Sequence, residues 1–276
     1  MQVYRHLDPK VFLSRAESFL IRAEAENNVM LSIGGSSRMF GEDCYFATVE
    51  DAGEIVACAM RTPPYKAIIT RGEPKALECL VDDIVTKYET LPAVLGPEPA
   101  VRHFAELWSA RVGTPARLGM RQRLFETREV QPLPSRPAGT LRLAEEADLP
   151  IITLWVEAFI DEAHVSDPYD PHQVARERVD RRSVFVWEDG RPVSMAAWAG
   201  RTARGVRINF VYTPPQYRRC GYASACVADL TQRLLNEGRA FCCLFTDQTN
   251  PTSNSIYQRI GYRPVCDMSD FILKAG

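Results

Sequence analysis

The sequence of 276 residues lacks the long apolar segments of membrane and secreted proteins. No apolar run approaches the roughly 20 residues that a membrane-spanning helix needs. The first residues, from Met1 to Pro9, also lack the apolar core of a signal peptide. We therefore expect a protein with no membrane partner, and the cytoplasm as its compartment.

Metal-binding and common hydrolase motifs are also missing. The eight cysteines show no Cys-x-x-Cys spacing, and the four histidines, His6, His103, His164 and His172, are scattered. Most of the cysteines lie in apolar runs, where they can serve as small hydrophobic residues. Neither a phosphate-binding P-loop, nor Gly-x-Ser-x-Gly, nor His-Glu-x-x-His occurs. We expect no metal site, and nucleotide hydrolysis, serine esterase and zinc protease activities have no support.

The chain has no excess of charge of one sign. Its formal net charge is −2, and basic and acidic residues nearly balance in both halves. Nucleic-acid binding normally requires a basic surface. We therefore expect no nucleic-acid partner, while a monomer and a homodimer both remain open.

What the sequence does contain is a break between two similar halves. Residues 131–139 include three prolines and no apolar periodicity, which is typical of a linker. The sequence therefore predicts a first domain at 1–130, a linker at 131–139 and a second domain at 140–276. Residues 46–62 and 185–202 each read as a strand, an acidic glycine turn and a second strand, and further strands and helices then repeat in the same order.

One turn in the second half has the form of an anion site. Arg218-Arg-Cys-Gly221-Tyr-Ala223 connects the apolar run 206–212 to an amphipathic helix that stops at Gly238. A chain reversal at Gly221 would turn successive backbone N–H groups toward one point, and the helix adds its positive dipole end. The pattern predicts a cradle for an anionic pyrophosphate.

The second half resembles the GNAT superfamily of acyl-CoA-dependent N-acyltransferases. The cradle fits the Arg/Gln-x-x-Gly-x-Gly/Ala loop of that family, although Arg219 and Cys220 stand where many relatives have Gly and Lys or Arg. Further along, residues 250–262 fit the family pattern Asn-x-x-Ala/Ser-x-x-Leu-Tyr-x-x-x-Gly-Phe/Tyr. The resemblance implies an α+β fold with a mixed sheet between helices, in two tandem modules. The first module looks degenerate, because residues 68–76 contain no cradle motif.

The resemblance also implies acetyl-CoA, or another short acyl-CoA, as co-substrate in a cleft between two splayed strands. Its pantetheine arm would pair with the backbone of one strand, and N–H groups of the cradle would hold the pyrophosphate, with arginine side chains available for phosphate charge. The residues expected to bind it are Val211, Tyr212, Thr213, Arg218, Arg219, Cys220, Gly221, Tyr222, Ala223, Ser224, Asn250 and Ser253.

Tyr257 is the residue that the resemblance assigns to catalysis, with its hydroxyl protonating the departing CoA thiolate. A half-buried helix tyrosine without a catalytic role remains the alternative, just as Asn250 could simply cap a helix. The strand at 206–212 carries no carboxylate, although many relatives have a Glu there. Acceptor-side candidates are Glu157, Asp161, Glu162 and His164, and a water relay, an amine that arrives neutral and plain surface roles all stay open.

The predicted reaction is transfer of an acetyl group from acetyl-CoA to a primary amine of a small molecule, by direct attack in a ternary complex. A backbone N–H near Val211 or Tyr212 could stabilise the oxyanion. Two alternatives remain open. The protein could be a catalytically silent acyl-CoA sensor or scaffold, or, less in keeping with its charge balance, a transferase that uses aminoacyl-tRNA.

Overall fold

The structure is a computed structural model that describes residues 1–36, 40–164 and 167–274. Contacts divide the chain into two compact units. The first unit contains Met1–Leu124 together with the stretch that begins at Val265, and the second unit is Phe125–Pro264.

The first unit begins with a short strand and two helices before its hairpin. Its elements, in chain order, are β1 (Gln2–Arg5), α1 (Pro9–Leu20), α2 (Asn28–Gly34), β2 (Tyr45–Asp51), β3 (Glu54–Arg61), β4 (Ala67–Ile69), α3 (Pro74–Ile84), β5 (Ala93–Pro97), α4 (Ala100–Val112) and β6 (Arg117–Thr127), whose last residues belong to the second unit.

The second unit repeats this order. Its elements are β7 (Thr140–Leu143), α5 (Leu149–Glu162), α6 (Pro171–Asp180), β8 (Val184–Glu188), β9 (Pro192–Ala199), β10 (Gly205–Tyr212), α7 (Tyr222–Asn236), β11 (Phe241–Asp247) and α8 (Pro251–Ile260), after which β12 (Arg263–Ile272) returns to the first unit.

Helix starts follow local capping chemistry. Asp8 accepts hydrogen bonds from the N–H groups of Lys10 and Val11 and so begins α1. The same arrangement begins α6, where Asp170 accepts from His172 and Gln173 and Pro171 occupies the first turn. Sequence reasoning missed α6, together with β1 and α2.

The two units share one topology. In the first, the hairpin β2–β3 is antiparallel, β3 pairs with β4, and β4 pairs in parallel with β5 across the connection made by α3. In the second, β8 and β9 form the hairpin, β9 pairs with β10, and β10 pairs in parallel with β11 across α7. The predicted α+β class with mixed sheets is confirmed.

The last strand of the chain completes the sheet of the first unit. In β12, Met268 to Ile272 pair antiparallel with Pro97 to Ala93 of β5. Phe271 and Leu273 are buried in the same apolar cluster as Leu80, Phe104 and Trp108. This differs from the predicted division, which assigned the whole of 140–276 to the second domain and ended the first at residue 130.

The helices and the cysteines can be compared with the expectations from the sequence. None of the helices in the described ranges combines the length and the apolarity needed to cross a bilayer. All eight cysteines are free thiols, and Cys58, Cys226, Cys242 and Cys243 are buried as the apolar pattern predicts.

Candidate active site

The predicted cleft corresponds to the point where β10 and β11 part. The two strands pair only at their beginnings, Gly205 with Phe241, Val206 with Cys242 and Arg207 with Cys243; no later pair forms among the described residues of these strands. From Ile208 onward, the edge of β10 that faces β11 therefore has no neighbouring strand. Such an edge offers backbone groups to an amide-containing ligand.

A β-bulge lies in the part of β10 that does not pair with β11. Asn209 is opposite Ala197 and Tyr212 is opposite Met195, so two residues of β10 face one of β9. Phe210 adopts a φ of 48°, which is unusual for a residue with a side chain. Beyond the extra residue, the side chains of the strand point to the opposite faces of the sheet from those that strict alternation would give. Val206, Ile208 and Val211 pack on the side of α7 and α8, whereas Phe210 and Tyr212 pack with α5 and α6.

The cradle turn has the predicted form. Arg219 and Gly221 both have left-handed backbone conformations, with φ of 65° and 85°, and Gly221 is the N-cap of α7. No side chain caps the helix, and within the described part of the chain no backbone acceptor takes the N–H groups of residues 219–224. The first N–H groups of a helix are free for a ligand in this situation.

Arg218 bridges the cradle and the end of helix α5. Its Nη2 donates to both carboxylate oxygens of Glu162, at 2.7 and 2.6 Å, and its Nε donates to the carbonyl oxygen of Thr213 at 2.9 Å. The guanidinium also lies 5.7 Å from the ring centre of Tyr212. The hydroxyl of Tyr212 donates to Glu162 at 3.3 Å, and its pKa is raised by burial and by the nearby carboxylate.

Two side chains outside the predicted set, those of Asp189 and Ser194, contact predicted site residues. The Tyr222 hydroxyl donates to Asp189, in the turn between β8 and β9, at 2.6 Å. Ser194, which is buried, donates to the carbonyl oxygen of Tyr212 at 3.1 Å and lies 2.8 Å from the Thr213 hydroxyl. Sequence reasoning missed Asp189 and Ser194, because their role depends on which strands lie side by side.

Tyr257 lies on α8 with its ring buried in the same apolar cluster as Val211. Burial raises the pKa of its hydroxyl to about 12. Its ring meets that of Tyr262 edge to face at a centroid distance of 6.1 Å. Tyr262 pairs with Thr231 at 2.8 Å, whereas no described residue hydrogen-bonds to the hydroxyl of Tyr257.

The remaining predicted residues divide into those near the cradle and those away from it. Asn250 caps α8 by accepting a hydrogen bond from the N–H of Ser253 at 3.0 Å, which is the capping role given above as the alternative to cofactor binding. Cys220 is exposed, with its Sγ 3.5 Å from the carbonyl oxygen of Arg218. Glu157 and Asp161 are exposed on α5, and among the acceptor-side candidates only Glu162 contacts the cradle within the described residues.

The described residues of the first unit show no such opening at the equivalent place. β4 and β5 pair at Ala67 with Val94 and Ile68 with Leu95, and a Cβ added to Gly96 would come within 2.7 Å of the Ile69 side chain. Arg71, which follows β4, binds Glu26 at 2.9 Å. The strands are therefore packed together where β10 and β11 separate.

Comparison with known proteins agrees with this geometry. The family model described as FR47-like protein matches residues 186–269, which include the cradle and Tyr257. The chain is similar to a GNAT-family acetyltransferase from Colwellia psychrerythraea. The match covers 99% of this chain and 100% of that chain, with a TM-score of 0.60 at 11% identity. The chain has the GNAT fold. The predicted GNAT fold is thereby confirmed.

Two more solved GNAT structures extend over nearly the whole chain. The GCN5-related N-acetyltransferase from Sphaerobacter thermophilus has a TM-score of 0.63 at 16% identity, covering 98% of this chain and 94% of its own. A tandem GNAT protein from the clavulanic acid biosynthesis pathway has a TM-score of 0.59 at 11% identity, covering 100% and 98%. The GNAT similarity therefore spans both units.

Proposed function

We propose that the protein is an acyl-CoA-dependent N-acyltransferase that transfers an acetyl group from acetyl-CoA to a primary amine of a small molecule. The observation that carries this proposal is the cradle at Gly221, where the N–H groups of residues 219–224 have no acceptor among the described residues. It lies at the end of a strand whose edge is open for a pantetheine arm. The similarity to structures named acetyltransferases supports the same reaction class.

In the proposed reaction the amine nitrogen attacks the thioester carbonyl carbon, and the carbon–sulfur bond then breaks. The amine gives up a proton to water or to a nearby base, and the departing thiolate accepts a hydrogen bond or a proton at Tyr257. The N–H of Val211, beside the bulge, is the proposed donor to the oxyanion. No covalent intermediate with the protein is required.

One observation favours a second candidate, an acyl-CoA sensor without turnover. β10 carries no carboxylate on either face. The side chain of Asn209 on that strand has a buried Oδ1 that finds no hydrogen-bond partner in the described part of the chain. An amide cannot act as a general base. If the reaction required a general base on β10, the protein would bind acetyl-CoA without transferring its acetyl group.

An assay of CoA release from acetyl-CoA against a panel of amines tests the proposal. We expect release with at least one amine, a kcat lower by about 100-fold in Tyr257→Phe, and CoA binding weaker by about tenfold or more in Gly221→Glu. Gly238→Glu is the matched control. Gly238 follows the other end of α7 with a φ of 93°, so the variant has the same strain and charge away from the cradle.

Two outcomes would contradict parts of this proposal. CoA binding without release by any amine would favour the sensor. Equal affinity of CoA for Gly221→Glu and Gly238→Glu would remove the cradle as the phosphate site.

A further inference from the structure

The ion pair between Arg218 and Glu162 joins two residues that belong to different halves of the proposed site. Arg218 lies in the turn that would hold the CoA pyrophosphate, and Glu162 ends the helix on the acceptor side. The Arg218 Nη2 donates to both oxygens of Glu162, at 2.7 and 2.6 Å. The guanidinium of Arg218, at the start of the cradle, is thus paired with a carboxylate of the protein itself.

A phosphate can compete for the same donors. Guanidinium groups bind carboxylates and phosphates with the same fork of N–H groups, so one anion can replace the other without a change of donor. The side chains of Arg218 and Glu162 are 42% and 48% exposed, and an ion pair of that exposure stabilises a protein weakly. A doubly charged pyrophosphate at the end of α7 is a stronger competitor than a single carboxylate.

The surroundings of Glu162 would keep its carboxylate in place after such an exchange. The hydroxyl of Tyr212 donates to Glu162 at 3.3 Å, and Tyr212 itself is buried at the end of β10. The Nε of Arg218 donates to the carbonyl oxygen of Thr213 at 2.9 Å, which would keep the side chain beside the end of β10 while its Nη2 changes partner. The released carboxylate would then be available for a cationic amine.

We propose that Arg218 exchanges Glu162 for the CoA pyrophosphate, and that the freed Glu162 carboxylate then binds the acceptor amine. This inference rests on the proposed function of the cradle. When no amine is present, Glu162 competes for Arg218 and so weakens CoA binding. When CoA is bound, the freed carboxylate of Glu162 strengthens amine binding. The two ligands therefore bind with positive coupling, which by thermodynamic linkage is the same in both directions.

Calorimetric titration of the full chain with CoA, without amine and at fixed ionic strength, tests the exchange. Glu162→Gln removes the competing charge, and we expect it to bind CoA about two- to fivefold more tightly than wild type. Glu157→Gln is the matched control for CoA affinity, because it removes one exposed negative charge from the same helix without touching Arg218. In an Arg218→Gln background, the substitution at Glu162 should leave CoA affinity unchanged.

The outcomes separate this inference from the function on which it rests. If wild type binds no CoA, the proposed function fails and the exchange fails with it. If wild type binds CoA and Glu162→Gln does not bind it more tightly, only the exchange is wrong. An equal gain in the Arg218→Gln background would also overturn it, because the effect would then be general electrostatics.

Measurement of the two KM values distinguishes this role of Glu162 from a purely structural one. With an amine identified by the panel, Glu162→Gln should raise the KM for the amine while lowering that for acetyl-CoA. A fall in both would overturn the inference. Glu162→Ala provides the same comparison if the glutamine variant unfolds, which thermal melting followed by circular dichroism detects.

Discussion

At the scale of single residues, burial decides what Tyr257 can do. Its pKa is raised to about 12 because the charged form would lose its hydration inside the apolar cluster. A free thiol has a pKa of about 8.5. Complete proton transfer from Tyr257 to a thiolate is therefore uphill, and hydrogen-bond donation to the developing charge on sulfur is the contribution that this environment favours.

This pKa predicts how the contribution of Tyr257 depends on pH. The hydroxyl stays protonated well above pH 10, where an exposed tyrosine would be half ionised. The ratio of wild-type kcat to that of Tyr257→Phe should therefore stay constant from pH 8 to about pH 10.5. Rates of thioester loss measured side by side give this ratio, in which ionisation of the amine cancels. A decline with an apparent pKa near 10 would contradict the buried setting.

At the scale of elements, the cradle turn carries backbone strain. Arg219 occupies a left-handed conformation with a φ of 65°, at the position where many GNAT loops have glycine. A residue with a Cβ loses about 1 kcal/mol there relative to glycine. The proposed cradle nevertheless requires this turn, because it comes directly before the N–H groups at the start of α7.

Arg219→Gly should therefore be more stable than Arg219→Ala by about 1 kcal/mol in urea unfolding. Both variants lack the guanidinium, so their CoA affinities should fall together relative to wild type, while only their stabilities differ. An alanine variant as stable as the glycine variant would show that the turn is not strained at this position.

The sequence predicts elements better than it predicts their distortions. The apolar run Val206–Tyr212 indicated a strand and Gly221 indicated a turn, because both depend on local preferences. The bulge could not be predicted, since Phe210 is not a residue that favours a φ of 48°. The Arg218–Glu162 pair also had no local signal, because it depends on how α5 packs against β10.

At the scale of the whole molecule, the boundary between units does not follow the linker composition. Residues 131–139 are rich in proline, as a linker should be, yet the structure places β12 in the first unit through its pairing with β5. Sequence order could not show this, because a strand that completes a sheet can come from any part of the chain. The repeat of elements was visible in the sequence, whereas the assignment of the final strand was not.

Phe271→Ala tests this assignment. Phe271 is 6% exposed within the core of the first unit, and its truncation should cost about 3–5 kcal/mol of stability there. Hydrogen exchange followed by mass spectrometry should then speed up in peptides from α3 and β5 and stay unchanged in β8 and β9. Ile260→Ala, which truncates a buried side chain of the second unit, should give the reverse pattern. Faster exchange in β8 and β9 for Phe271→Ala would instead support a division at residues 131–139, because β12 would then belong to the second fold.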